Sequence, residues 1–569
     1  MDGLKNLGRC DMPQGEFWNG MFVVEGQNKV CKQTASAAHI YGKRIASAEA
    51  FTSGKPHWGE APWSLKPIAD VAFCEGINRC VFHTMTATRP QDGLPGFEYG
   101  AGTHFNPNVT WWRLGASPWI TYISRCQSLL QSGLFVADVL YYNGDWAPNL
   151  VRPKHVDPSL GKGFDYDVCN SEVLLTRISV KNGCLVLPDG MAYRMLVLPE
   201  RRQIPVEVIR KIHELVFAGA TVVGPKPESD PGLRDYPRCD EDVRERSAEL
   251  WGAVDGRNTL EQQYGQGRVI WGRSLREILK GDGVIPDCEV TGTDPSTFID
   301  FIHRALPEAD VYFLVNRSDR METVTCSFRV GGRRPELWDP VTGHMYGLTA
   351  LEAQEGSTSI WLQFHPRQSM FVVFGGETRL AGGSHDPKFQ GEKALQELVG
   401  PWDVRFDPKW FYPVDKLNGR AALGEVRFEA LDDWCNREEE AIRFYSGTAV
   451  YQKTFDLEFS LGDYSGKKVF LDLGIVKEIA AIRLNGEELG TIWCAPWRMD
   501  ISGVLRSKSN QLEIEVVNLW PNRLVGDSTL PNDQRRTRTN ITSYSKDSPL
   551  LPSGLLGPVK ITGRAAQES

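Results

Sequence analysis

Short apolar runs that end in one polar residue recur through the first fifth of the chain. Arg44-Ile-Ala-Ser-Ala48 leads to Glu49, Arg79-Cys-Val-Phe82 leads to His83, and Cys10-Asp-Met-Pro-Gln-Gly leads to Glu16-Phe-Trp18. Segments of helical period lie between them. Residues 30–39 are rich in Ala and Ser, and residues 65–76 carry Leu65, Ile68, Ala69, Ala72 and Phe73 on one face. A further helix is predicted over 118–132. Buried strands alternating with helices predict a parallel sheet, and an acid at the carboxyl end of such a strand stands where barrel enzymes keep catalytic groups. A whole (β/α)8 barrel takes about 250 residues. Residues 1–125 hold material for only the C-terminal strands of one, so a partial barrel is expected.

From Gly133 the pattern changes. Apolar strands are predicted at 135–142, 164–169, 185–188, 195–199 and 220–224, with an amphipathic helix over 204–217. Pro205 falls in that helix's first turn, where a missing N–H costs nothing. This reads as a second, doubly wound α/β domain over 133–290. Residues 296–376 predict a small β-sandwich: strands at 311–315, 324–330, 359–364 and 370–374, with Gly331-Gly332 and Asp339-Pro340 between them. Gly and Ser at 377–398 predict a linker. Residues 399–565 alternate apolar and polar positions, and Asn485-Gly486 marks a tight hairpin. The fold class is therefore multidomain, α/β plus all-β.

Composition narrows the partners. With 569 residues, 41% hydrophobic and 24% charged, the chain has the makeup of several globular domains. A formal net charge of −8 argues against nucleic acid, which demands a basic face. No run of about twenty apolar residues offers a membrane span. The opening charges are not followed by an apolar stretch, so no signal peptide is expected there. The 12 Cys show no CxxC or metal-ligand spacing and are expected to be mostly buried free thiols. Among the 17 Trp, residues 18, 58, 63, 111 and 112 share the first region with Glu16 and Glu49. Carboxylates displayed among aromatic faces suit sugar chemistry, in which rings stack on pyranose C–H surfaces and a carboxyl pair acts on the glycosidic bond. A lone Glu near a strand end is more often an ordinary surface carboxylate, and composition by itself cannot decide.

The runs Asp11-x-Pro-x-Gly-Glu-Phe-Trp18, Ala-Ala-His39-Ile-Tyr-Gly-Lys43, Ala48-Glu-Ala-Phe-Thr52, Phe82-His83 and Asn108-Val-Thr-Trp-Trp112 resemble glycoside hydrolase family 106, the α-L-rhamnosidases. Asn518-Leu-Trp-Pro-Asn-Arg523 and Pro549-Leu-Leu-Pro-Ser-Gly-Leu-Leu-Gly-Pro558 resemble the same family's closing domain. The resemblance implies an inverting hydrolase that releases terminal L-rhamnose from glycans or glycosides and uses calcium at the sugar site. It makes Glu49 the expected general base. Glu16 is either catalytic or a holder of calcium and sugar hydroxyls, and Asp11 with Glu16 could give two of the several oxygens that calcium takes. Trp18, His83, Asn108 and Trp112 are the expected sugar contacts. The family's proton donor belongs to a more N-terminal strand, which places the acid outside these residues and makes the chain read as a fragment of a longer, periplasmic or secreted enzyme.

Residues 133–290 resemble the glutamine-amidotransferase-like domain of several glycosidases. Leu198 is followed by Pro-Glu-Arg-Arg and not by a nucleophilic Cys, so a structural role is expected. Residues 399–565 resemble the jelly-roll, galactose-binding-like domain of family 2 glycosidases. The competing reading is a non-catalytic carbohydrate-binding or scaffold protein.

Overall fold

Small side chains decide how the first region closes. In the computed structural model, which describes residues 2–19, 30–54, 56–99, 105–144, 149–156, 160–354, 356–375, 392–407 and 425–564, helix α1 (Gly3–Arg9) precedes strand β1 (Gln14–Asn19) and helix α2 (Cys31–Ile40). Strand β2 (Ser47–Ser53), helix α3 (Pro62–Cys74), strand β3 (Arg79–Phe82) and helix α4 (Trp112–Leu130) follow. The strands make a parallel sheet in the order β1-β2-β3. A Cβ built on Gly15 would lie 2.4 Å from Thr34 Oγ1, so α2 sits on β1 at a distance only glycine allows. Ala48 and Ala50 are fully buried on the helix-covered side. The opposite face carries Gln14, Glu16, Arg79 and Val81, all exposed.

Both strand tips extend beyond the polar residues that the sequence placed there. Glu49 is the third residue of β2 and not its last, and Glu16 the third of β1. Helix α4 begins at Trp112 and takes Pro118 into its interior, because Leu114, Trp119, Tyr122, Ile123, Cys126 and Leu130 form one buried stripe across the proline.

The second domain has a six-stranded sheet, parallel through Val139–Tyr142, Tyr166–Cys169, Met195–Val197, Thr221–Val223 and Gly267–Ile270. The strand expected over 185–188 belongs instead to a small antiparallel sheet, where Cys184–Val186 pairs with Ser179–Lys181 and Ala192–Tyr193. The strand expected over 135–142 is two: Leu134–Phe135 leaves the domain to pair with Ile299–Ala305. Two antiparallel sheets, of four and six strands, form the sandwich, which starts at Cys288–Gly292 and so overlaps the boundary placed at 290–296. Of the expected linker, 377–391 lies outside the described residues. Its remainder is strand, because Glu392–Glu397 pairs with Lys560–Arg564 in the last domain. That domain faces a four-stranded sheet with a six-stranded one, and Asn485 (φ 56°) and Gly486 (φ 88°) make the expected hairpin.

Charge fastens the domains as firmly as apolar contact does. Buried Asp167 accepts from Ser36 at 2.8 Å and from Tyr193 at 3.0 Å, and pairs with His39 of α2 at 3.0 Å. Burial alone would raise this carboxyl; His39, Lys32 and Ser36 bring it below the ordinary carboxylate range. Lys32 and Lys154 both reach Asp165 at 2.8 Å. In α3, Lys66 bonds Ser369 of the sandwich at 2.9 Å. One apolar core runs through the first two domains and takes in Ile302, Phe313 and Phe371 of the sandwich and Trp493 and Trp520 of the last domain. The twelve cysteines are all free. No helix among the described residues is long and apolar enough to cross a membrane.

Candidate active site

Register sets the two glutamates side by side. Glu16 is the lateral partner of Glu49 across the β1–β2 pair, and Val81 is the partner of Glu49 on β3. Neighbouring strands stand about 4.8 Å apart, so both carboxylates rise from one patch of the uncovered face. An inverting acid and base need about 6.5–9.5 Å between them to admit a water. Adjacent positions on a sheet do not enforce that gap, so the partner of Glu49 in such a pair would have to stand across the cleft.

A bulge completes the patch. Between Phe17/Ala50 and Trp18/Thr52 the pairing takes one extra residue on β2, Phe51, at φ 72°. Its ring is buried against Phe17 and Trp119. An extra residue resets the alternation of a strand. Glu49 and Thr52, three apart, therefore meet on one face, and the Thr52 hydroxyl lies 3.4 Å from Glu49 Oε1 and 3.1 Å from His83 Nδ1. Trp18 pairs with Thr52 and is half-buried beside it. The ring of Tyr99, which is 70% exposed, stands edge-on to His83 at 5.7 Å.

Behind the strand tips, Glu60 accepts from Asn19 at 2.6 Å, Ser53 at 2.8 Å and Ser64 at 2.7 Å. Burial raises its carboxyl despite these three donors. Trp111 Nε1 donates to the Glu60 carbonyl at 2.8 Å, so Glu60 ties the ends of β1 and β2 to the start of α4. The loop bearing Tyr99 is held from the far end of the chain. Pro95 and Gly96 pair with Arg538 and Thr539. Asn540 bonds the Glu98 N–H and carbonyl at 2.8 Å each. Buried Glu98 pairs with His57 at 2.8 Å, and Tyr544 donates to the His57 carbonyl.

Of the expected site residues, Glu16, Trp18, Glu49 and His83 share this patch. Asp11 does not: it is exposed in the bend before β1, at the amino end of the strand, away from the carboxyl tips. Trp112 opens α4 and Asn108 lies in the turn before it, where the Asn108 carbonyl accepts from Trp520 Nε1 at 2.7 Å and serves a domain joint. Calcium takes six to eight oxygens. Glu16 and Glu49 are two carboxylates, and no group of three His, Cys, Asp or Glu able to hold a metal occurs among the described residues. These residues by themselves do not make a calcium site. Thr52, Tyr99, Glu60 and the Glu98–His57 pair went unread in the sequence; the Thr52 in Ala48-Glu-Ala-Phe-Thr52 was the one available signal.

Comparison with known proteins gives the family. The model of glycoside hydrolase family 106, described as alpha-L-rhamnosidase, matches residues 1–350. A model described as glycosyl hydrolase 2 galactose-binding domain-like matches residues 405–542. The rhamnosidase of Novosphingobium sp. PP1Y superposes with a TM-score of 0.86 at 30% identity, over 99% of this chain and 52% of that one. A Formosa agariphila protein named provisionally as a beta-glucuronidase is 28% identical over 97% of this chain and 65% of its own length. The chain thus spans between half and two thirds of the length of these relatives. Residues 1–350 are more than half of it, and the chain belongs to glycoside hydrolase family 106, the alpha-L-rhamnosidase family.

Proposed function

We propose that this chain carries the general-base side of an inverting α-L-rhamnosidase acting on terminal rhamnose of glycans or glycosides. The observation that carries the reading is the cluster on the uncovered sheet face: Glu49, with Glu16 beside it and Thr52 and His83 next to it, in a member of the rhamnosidase family. Glu49 takes a proton from water as the water oxygen attacks the anomeric carbon from the side opposite the aglycone. Thr52 orients the Glu49 carboxylate. Glu16 and His83 bind ring hydroxyls, and Trp18 and Tyr99 offer apolar faces to the sugar. The proton for the leaving oxygen comes from an acid across the cleft, on a segment that adds strands to the β1-β2-β3 sheet.

The test is turnover of an aryl α-L-rhamnoside and an aryl β-D-glucuronide by the enzyme in its full relative-length form. Glu49→Gln is expected to lower rhamnoside turnover by about 10²–10⁴-fold, the usual contribution of a general base, with folding unchanged. Turnover within a few-fold of the parent removes Glu49 from the mechanism. Preference for the glucuronide would assign the substrate to the class named for the Formosa agariphila relative. Exhaustive chelation with calcium add-back, in the same assay, decides the metal.

A second reading, a non-catalytic glycan-binding protein, draws on the same uncovered face, where Glu16 and Glu49 are neighbours on adjacent strands. An enzyme with no rhamnoside turnover that still binds rhamnosides at the Glu49 face would favour it.

A further inference from the structure

Helix α3 has a second polar-and-aromatic surface, turned away from the sheet. Trp63, Ser64, Pro67, Ile68 and Val71 recur at helical spacing along it and form one wall of a cleft of about 650 Å³. The sandwich supplies another wall through Phe298, Arg317 and Arg367, and the last domain closes it with Lys477, Glu478 and Leu519. Three domains thus meet around one concavity, a common position for ligand sites. None of Glu16, Glu49, Thr52 or His83 lines it. Asn19 at its edge faces Glu60, on the helix side of β1.

Its chemistry is uneven in an informative way. Arg317 is engaged by Asp300 at 2.9 Å, and Arg367 is held in a fork by Asp319, with both bonds at 2.7 Å. Lys477 and Glu478 make no side-chain hydrogen bond or ion pair among the described residues. Glu478 keeps some contact with solvent while protein surrounds it on most sides, and that burial pushes its carboxyl up to about 7, with Lys477 opposing and Glu60 reinforcing the rise. A carboxyl left in such surroundings without a partner is costly, and it is oriented into open space. In the lining, Arg317, Arg367 and Lys477 stand against Asp319 and Glu478, with Asp300 behind Arg317 and shared with His155, so the cleft carries at most a small net charge. Trp63 and Phe298 are half-buried in the lining; Lys162 and Arg317 lie over the Phe298 ring, which leaves the Trp63 indole to offer ring surface. A flat indole, a free carboxyl and a free ammonium with little net charge match a neutral sugar, whose C–H face stacks while its hydroxyls bond both ways.

We propose that the cleft between α3, the sandwich and the last domain is a second, non-catalytic binding site for a neutral saccharide unit, with Glu478 and Lys477 bonding its hydroxyls and Trp63 stacking on its ring. The site is independent of the hydrolytic reading above.

Saturation-transfer NMR with methyl α-L-rhamnopyranoside, methyl β-D-glucopyranoside and methyl β-D-galactopyranoside tests it. At least one probe is expected to take up saturation from the parent chain and equally from Glu49→Gln. The near-isosteric Glu478→Gln should weaken that probe roughly tenfold, since bonds to a charged group are worth about 1.5–3 kcal/mol. Trp63→Leu, which keeps apolar bulk but removes the flat face, should abolish its uptake, and the thermal transition of each variant checks that it folds. No uptake of any probe overturns the proposal. So does uptake lost in Glu49→Gln but kept in both cleft variants, which would place the sugar on the sheet face instead.

Discussion

Thr52 shows how much one residue's placement decides. Its hydroxyl links Glu49 to His83, and the link exists because Phe51 occupies the bulge. Thr52→Val is expected to lower kcat about tenfold with KM little changed, as for the loss of one orienting hydrogen bond, and Thr52→Ser should restore most of it. Equal kcat in the Val variant would make Thr52 a packing residue. Glu75 at the end of α3 gives a stability prediction. It is buried, its Oε2 has no partner, and burial pushes its carboxyl up to about 8, with Lys32 only partly opposing. A carboxyl raised in the fold binds its proton more tightly folded than unfolded, so its contribution falls as pH climbs from about 4.5 to 8. Glu75→Gln should therefore match the parent near pH 5 and exceed it near pH 8.5, by a margin on the order of a few kcal/mol. Urea midpoints at the two pH values measure this, and a constant difference would mean Glu75 does not titrate in the fold.

At the scale of elements, alternation along β1, β2 and β3 was legible because each strand has one covered face. That marked Glu16 and Glu49 near strand ends, and the family resemblance added Trp18 and His83 as expected sugar contacts. Thr52 was not legible there, because a positive φ at a phenylalanine resets alternation without any glycine to announce it. Glu98 was hidden for another reason: the partner of its backbone, Asn540, lies in a strap more than four hundred residues away. The same distance hid the bond between the Asn108 carbonyl and Trp520. The strap carries its own prediction. Asn540→Ala removes two bonds from the Glu98 backbone and should let the Tyr99 loop move, raising KM several-fold while kcat changes less. A fall in kcat with unchanged KM would mean the strap acts on the reacting groups and not on the loop.

At the scale of the whole molecule, the described residues cover the β1-β2-β3 sheet on one side only. Its other side exposes Val81 at 41%, together with Met85 at 65% and Phe97 at 48% in the loop beyond β3, and no further strand pairs with the outer edges of β1 or β3 among the described residues. Uncovered apolar surface and unpaired strand edges invite association. An independent region of this kind would be clipped away first by a protease. The packing argues otherwise: His39–Asp167, Lys32–Asp165 and Lys66–Ser369 are buried, and the shared core continues from α2 into the second domain. Breaking one such buried pair costs about 3–5 kcal/mol, so residues 1–125 should resist release. The expectation for this chain expressed alone is thus a protease-resistant protein that self-associates through the open face and does not turn over an aryl α-L-rhamnoside. Supplying the strands that cover the face should yield a monomer with activity. Sedimentation and turnover, measured with and without the covering segment, check both halves. A monomeric, active product from this chain alone would show that the uncovered face is a finished site, and the acid would then have to be sought among these residues.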